Sequence, residues 1–365
     1  MSAWRHWQSF ANDSIAILET LWNMWEEKKL ERKTSKSNGL TVSSLFSGIG
    51  GLDLGFVYSG YDVQWANDLD KNAVQIYKAN VSSKIVEGDI TEMYDEVPQS
   101  DVLIGGFPCQ PFSLMGKQKG FDDDRGTLFF TIQQIIELHE EKPKILVLEN
   151  VKNLLTHDKG KTFKKMKGIL EKLGYVVHAK ILDTKDFGLP QTRRRVFVVA
   201  FRHDYFGDYA FNYEYPEGKQ LDETVYDILD EDVDKKYFIS EKMLPTILSS
   251  GSGGYYSKSE IDLDIARPLT ATMHKMHRAN QDNYYRDEKN RSRFEDTTER
   301  PISSVRRLTP NECRKLQGFP SDWKYVVSDT QLYRQFGNAV SVNVSYAVAQ
   351  SINRFLKDGG YDFNK

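Results

Sequence analysis

The sequence predicts an α/β fold in which a doubly wound parallel sheet carries helices on both faces and a smaller domain is inserted before the chain returns. Three observations carry this prediction. From Val42 to Phe201, short apolar segments alternate with longer amphipathic ones, the signature of repeated β–α units. Past Arg202 the alternation gives way to aromatic, acidic and Gly/Ser-rich stretches such as SSGSGGYYSKSE. Helical periodicity resumes at TPNECRKLQGF and at SVNVSYAVAQSINRFL, so the chain's end rejoins its first domain.

The elements follow in order. Asn12, Asp13 and Ser14 form a capping cluster ahead of Ile15, Leu18, Trp22 and Trp25, whose spacings of three and four predict an amphipathic helix over residues 12–33. The polar KTSKSNG after it reads as a linker. Residues 1–40 are therefore a separate segment, either a packed decoration or a docking helix. Strands are expected at VSSLF, VQWAN, KIVEG, DVLIG, KILVLE, VVHAKIL and RVFVVAF. Helices are expected at GLDLGFVYSG, KNAVQIYKAN, TLFFTIQQIIELHEE and TFKKMKGILEKLG. The large domain then comprises 41–202 plus 304–365, with 203–303 inserted. Ligands of such a sheet sit beyond the carboxyl ends of its strands.

Composition narrows the function. The 365 residues are 39% apolar and 28% charged, ordinary values for a globular protein. No apolar run approaches the roughly 20 residues that span a bilayer, and the start lacks the apolar core of a signal peptide, so a cytoplasmic protein is expected. Cys109 and Cys313 stand far apart in unlike surroundings, which excludes a disulfide framework and a cysteine-rich metal site. No metal is expected. A net charge of −3 announces no polyanion binder. Lys275–Arg307 holds nine Lys or Arg against six Asp or Glu, which by itself reads as a solvated face.

Four stretches carry chemistry. LFSGIGGLDLG follows a strand and opens a helix; Gly48, Gly50 and Gly51 let the backbone approach a ligand. Asp68 ends the next strand, where an acid can bond ribose hydroxyls, and Asp89 follows the third. No Lys-Ser/Thr follows the glycines, which argues against a P-loop. In GGFPCQPFS, Cys109 sits between prolines just after a strand, a stiff setting that fits a nucleophilic thiolate better than a buried filler. Glu149 follows four apolar residues, so desolvation should raise its pKa and let it hold a proton near neutrality. Arg193 and Arg195 precede a strand, with alternation sending them to one side and Arg194 to the other.

In order, LFSGIGGLDLGF, GDI, GGFPCQPFS with GKQKGFDDDRGTLFF, LENV, GLPQTRRRVF, RRLTPNECRKLQGFP and QFGNAVSVNV resemble the motif series of the cytosine-5 DNA methyltransferases, especially those of bacterial restriction-modification systems. The resemblance covers roughly Val42–Arg202 and Arg306–Phe355. It implies a Rossmann-like methyltransferase sheet, S-adenosyl-L-methionine as cofactor, and transfer to carbon 5 of a cytosine flipped out of double-stranded DNA. Cys109 matches the family's nucleophile, Glu149 the residue that bonds ring nitrogen 3, Arg195 a base-binding arginine, and Arg193 one that supports the cysteine loop. On the cofactor side, Phe46 matches an adenine-side aromatic, Asp68 with Leu69 the ribose position, and Asp89 with Ile90 the adenine edge. Pro108, Leu128, Asn338 and Val340 match further cofactor-pocket positions.

The resemblance also implies a loop from Gln110 to Thr127 that closes over the DNA, with Ser113, Lys117, Lys119 and Arg125 facing it. Met115 stands where relatives often have a small polar residue and is expected to wedge into the emptied duplex. The inserted region corresponds to a target-recognition domain in which Arg267, Thr270, Thr272, His274 and Lys275 are expected to contact DNA. Cys313 is expected to be a packing or surface thiol. A cognate restriction endonuclease is the implied functional partner, and the enzyme is expected to be a monomer on DNA. Three other readings stay open. One is the same fold acting on tRNA, whose members carry a CFT tripeptide absent here; another is a catalytically silent DNA-binding regulator, against which intact Cys109, Glu149 and Arg195 argue; the third is a nucleotide-dependent oxidoreductase, disfavoured by the glycine spacing.

Overall fold

The computed structural model describes residues 36–108, 128–252, 255–294 and 301–363. The expected N-terminal helix and the expected closing loop lie outside these residues. In chain order the first part comprises β1 (Thr41–Leu45), α1 (Gly51–Tyr58), β2 (Asp62–Asp68), α2 (Lys71–Asn80), β3 (Ile85–Glu87), β4 (Val102–Gly106), α3 (Leu128–Leu138), β5 (Ile145–Val151), α4 (Lys161–Lys172), β6 (Tyr175–Asp183) and β7 (Arg194–Arg202). Every strand and helix expected between Val42 and Phe201 is present.

The seven strands form one sheet in the order β3-β2-β1-β4-β5-β7-β6. The order reverses between β1 and β4, which places a ligand site at the carboxyl ends there. One expectation fails: the sheet is not wholly parallel, because β7 runs antiparallel to both β5 and β6. The cause is the link between β6 and β7, which holds only the short turn Thr184–Phe187. A parallel return needs a crossover of a dozen residues or more.

Strand alternation sends side chains to two cores. On one face Val42, Ile104, Val147, Phe197 and Val199 pack with Phe56 of α1; on the other Leu45, Leu103, Leu146 and Leu148 pack with Phe129, Ile132, Ile136 of α3 and Met166, Leu170 of α4. β5 is buried over its first six residues, as the uninterrupted apolar run ILVL of a central strand requires.

The later part adds β8 (Phe238–Ser240), the two-residue ladder β9 (Gly251–Ser252) and β10 (Tyr255–Tyr256), β11 (Tyr284–Arg286) and β12 (Ile302–Arg307). β8, β11 and β12 make a small antiparallel sheet in the order β11-β12-β8. It has its own core of Ile239, Ile247, Ala279, Tyr284 and Val305. Both expected boundaries shift. β12 straddles the boundary placed between residues 303 and 304, and Phe206, Ala210 and Tyr213, beyond the boundary at 202, belong to the core of the large sheet.

Three helices finish the chain: α5 (Pro310–Leu316), α6 (Asp329–Asn338) and α7 (Val342–Asp358). The sequence reading did not anticipate α6. Arg306 of β12, fully buried, donates to both carboxylate oxygens of Glu312 at 2.9 and 2.8 Å and to Asp287 at 2.8 Å, fixing β12 against α5. Glu312 also closes a capping box with Thr309. α7 packs back on α1, where Ser345 Oγ donates to the Leu52 carbonyl. Cys313 is buried in α5, and burial pushes its thiol well up. Among the described residues no helix is long and apolar enough to cross a membrane.

Candidate active site

A cavity of about 510 Å³ opens at the carboxyl ends of β1, β2, β4 and β5. Its size falls within the range of small-molecule sites. Phe46, Gly48, Gly51, Asp68, Leu69, Asp89, Ile90, Pro108, Leu128, Asn338 and Val340 all line it. Gly50 does not. With φ at 87°, Gly50 turns the chain into α1, and a Cβ there would meet Val81 at 2.8 Å and Tyr77 at 3.1 Å. Its missing Cβ makes room for the packing of α2.

The turn after β1 is held from beneath. Phe46 takes a left-handed φ of 54°, a conformation a non-glycine residue keeps only where its surroundings enforce it. Here Ser47 N–H donates to the Asn67 carbonyl at 2.9 Å, and Gly48 N–H donates to Asp68 at 2.8 Å. The other Asp68 oxygen accepts from Asp70 N–H at 2.8 Å. Burial pushes the Asp68 carboxyl up, while these N–H bonds oppose the rise. Asp89 accepts from the N–H and hydroxyl of Thr91 through Oδ1. Leu69 is 68% exposed at the rim.

A second acid, Asp53, lies in α1 behind this turn with no exposed surface. It accepts from the Tyr77 hydroxyl at 2.8 Å, its other oxygen has no partner, and burial pushes its carboxyl up to about 6.

At the other end stands Glu149, whose Oε1 lies 3.1 Å from Arg195 Nε. Burial pushes the Glu149 carboxyl up; Arg195 and then Arg193 pull it back. Arg193 is 2% exposed, with its guanidinium donating to the carbonyls of Leu269, Gly337 and Ala339 at 2.8, 2.9 and 2.8 Å. Burial pushes Arg193 down to about 9, so it stays cationic at neutral pH. Arg194 turns away to Asp183 at 3.0 Å. Asn150 Nδ2 donates to the Phe107 carbonyl at 2.8 Å and so anchors the peptide leading to Pro108. Cys109, Ser113, Met115, Lys117, Lys119 and Arg125 lie outside the described residues.

This arrangement offers a cleft with the carboxylates of Asp68 and Asp89 at one end and a buried carboxyl paired with a cation at the other. Residues 40–354 match the family model described as C-5 cytosine-specific DNA methylase. The chain belongs to that family. It is 39% identical over 336 residues to the Type II methyltransferase M1.ScrFI of Lactococcus lactis subsp. cremoris, covering 89% of this chain and 80% of the relative. It is 35% identical over 343 residues to the Type II methyltransferase M.HhaI of Haemophilus parahaemolyticus, covering 90% and 98%. The crystal structure of S. pombe Dnmt2 methyltransferase aligns with a TM-score of 0.66 over 86% of this chain and 98% of that one, at 21% identity, a likeness of fold. The protein is a DNA cytosine-5 methyltransferase; neither tRNA methylation nor a silent regulator is favoured.

Within this methyltransferase the expected recognition residues divide. Thr272 and Lys275 are exposed, and Thr270 and His274 are half-buried. Arg267 is no free reader: its guanidinium lies 3.6 Å from Glu260 and donates to the Ala279 carbonyl at 3.2 Å. Sequence reasoning missed three residues that build the site. Asn150 is one, and Arg334, on the cavity rim 3.3 Å from Asp70, is another. The third is Gln191, wholly buried, which accepts from Leu269 N–H and donates to the Leu316 carbonyl, both at 2.9 Å. The main-chain partners of Asn150 and Gln191 lie 43 to 125 residues away along the chain and meet them only in the fold, so no spacing signals them.

Proposed function

We propose that this methyltransferase uses S-adenosyl-L-methionine to methylate a cytosine flipped out of a specific duplex sequence, through a covalent adduct on Cys109. One observation carries the reading. The glycine turn with Asp68 and the Glu149–Arg195 pair share a single cavity, and Pro108, immediately before Cys109, lines it. The cofactor fits the donor set: Asp68 keeps lone pairs for ribose hydroxyls, Asp89 has a carboxylate oxygen left over, and Phe46 offers a ring to adenine. When bound, it supplies an electrophilic methyl group on a sulfonium.

The chain's own groups do the rest. Carbon 5 of cytosine is a weak nucleophile until the Cys109 thiolate bonds to carbon 6, which makes the ring enamine-like. Negative charge then gathers towards ring nitrogen 3, where protonated Glu149 holds a proton against it. Arg195 orients Glu149 and faces the base. After carbon 5 has taken the methyl group, a base removes its hydrogen and the Cys109–carbon 6 bond breaks, restoring the ring. Stacking hides both carbons in a duplex, so the cytosine must leave the helix. Residues 203–303 supply target recognition in this reading, and the relatives' Type II names support a role in shielding host DNA from a cognate endonuclease.

Labelled methyl transfer to duplex DNA but not to tRNA is expected. Cys109→Ser should abolish transfer and also abolish covalent trapping on duplexes carrying 5-fluorocytosine. Trapping that persists in the serine variant assigns the nucleophile elsewhere. Bisulfite sequencing of DNA from expressing cells reads the sequence context.

A further inference from the structure

Between Lys152 and Lys167 the chain carries six lysines and one acid, Asp158, within a protein of net charge −3. These residues leave the carboxyl end of β5 directly after Glu149, Asn150 and Val151, all three of which line the cavity. They run through two short turns, Lys152–Leu155 and His157–Gly160, into α4, and the turns and helix pack on one another. α4 buries Thr162, Met166 and Leu170 and turns the opposite side outward. Lys161 and Lys164, three apart, share that outer side. Lys152, Lys159, Lys161 and Lys164 are all exposed. None of the four makes an ion pair among the described residues, whereas Lys167 further along pairs with Glu171 at 3.6 Å. Lys165 lies 5.3 Å from the ring of Phe130, two residues past the cavity-lining Leu128. The start of α4 is thus beside the mouth of the site.

Like charges gathered at one edge repel one another, and among the described residues no acid pairs with these four. We propose that this ridge, Lys152, Lys159, Lys161 and Lys164, is a docking surface for the phosphate backbone of the duplex flanking the target cytosine. The proposal rests on the duplex-DNA reading above and adds a footprint outside the recognition segment. Duplex DNA presents a charge about every 1.7 Å along its axis, so lysines on successive turns of one edge meet several phosphates. Such contacts fix register and add affinity without reading sequence.

The test compares three triple variants of the full chain. Lys159→Gln/Lys161→Gln/Lys164→Gln removes three of the four ridge charges. Lys78→Gln/Lys172→Gln/Lys357→Gln removes equal charge from the last turns of α2, α4 and α7. Lys159→Arg/Lys161→Arg/Lys164→Arg keeps the charge. Affinity is measured against salt on a cognate duplex of about 30 base pairs and on one trimmed to about 12. The ridge variant should lose about 0.9 in the log–log salt slope per lost phosphate contact, roughly 2 to 3 in all, on the long duplex alone. The remote and arginine variants should keep the wild-type slope, and kcat at saturating DNA should stay unchanged in all three. An unchanged slope in the ridge variant, or an equal loss in the remote one, overturns the proposal. Wild-type protein that transfers no methyl to duplex DNA would instead overturn the reading on which it rests.

Discussion

Glu149 ends an apolar strand and stands beside two guanidiniums, and these surroundings pull its proton affinity in opposite directions. Burial dominates, so the carboxyl sits above its ordinary value. A group raised in this way holds its proton as pH climbs past the usual carboxylate range and loses it further up. Methyl transfer that needs the proton therefore falls on the alkaline side. Glu149→Gln keeps a hydrogen-bond donor but has no proton to give; single-turnover transfer should drop by about 10²- to 10⁴-fold and the alkaline fall should vanish. A variant that keeps this fall would show that another group titrates. The burial was legible, because four apolar residues precede Glu149. What distinguishes Gly50 from Gly51 was not legible. Both are glycines in one turn, and only the folded neighbours show that one abuts Tyr77 and the other the Val340 carbonyl.

At the scale of elements, α1 and α2 are joined through a buried acid that the sequence does not reveal. Asp53 lies on α1, wholly buried, and accepts from the Tyr77 hydroxyl of α2 at 2.8 Å. Its carboxyl, raised from 3.8 to about 6, contributes stability that is fully present below 3.8 and lost as pH rises through about 6. The loss is on the order of 3 kcal/mol. Asp53→Asn keeps an acceptor for Tyr77 and removes the titration, so the fall in melting temperature between about pH 4 and pH 6.5 should shrink. Identical pH dependence in both proteins would discard this account. Strands and helices themselves were legible from periodicity, but the antiparallel direction of β7 was not, because the segment between the expected strands is about long enough for a crossover. α6 escaped because its buried set, Leu332, Tyr333, Gln335, Phe336 and Gly337, mixes polar and apolar types. Gln191 escaped for a related reason: a buried amide that bonds main chain leaves no pattern. Gln191→Ala strands the Leu269 N–H and the Leu316 carbonyl, each at about 1–3 kcal/mol. It should raise KM for DNA while leaving cofactor affinity unchanged, as titration calorimetry with the cofactor would show.

Across the whole molecule, the large sheet and the segment around Leu269, proposed above to serve target recognition, meet at the end of α6. Gly337, Asn338 and Ala339 line the cavity, the carbonyls of Gly337 and Ala339 take two of the Arg193 bonds, and the third goes to Leu269. One guanidinium therefore ties the cavity wall to the segment that leads into Thr270–Lys275, two residues before Arg195 reaches Glu149. Gly337 is what permits this approach. A Cβ there would stand 2.2 Å from the Thr270 carbonyl carbon and 2.3 Å from its oxygen, and both are main-chain atoms that cannot swing aside. Gly337→Ala must then push the segment outward, stretching the Arg193 bonds on both sides. Unlike Gln191→Ala, it should weaken cofactor and DNA together: KM for DNA and the cofactor dissociation constant both rise, by about tenfold for each 1.4 kcal/mol lost. If only DNA binding weakens, the cavity wall and the recognition segment move independently and Arg193 does not couple them.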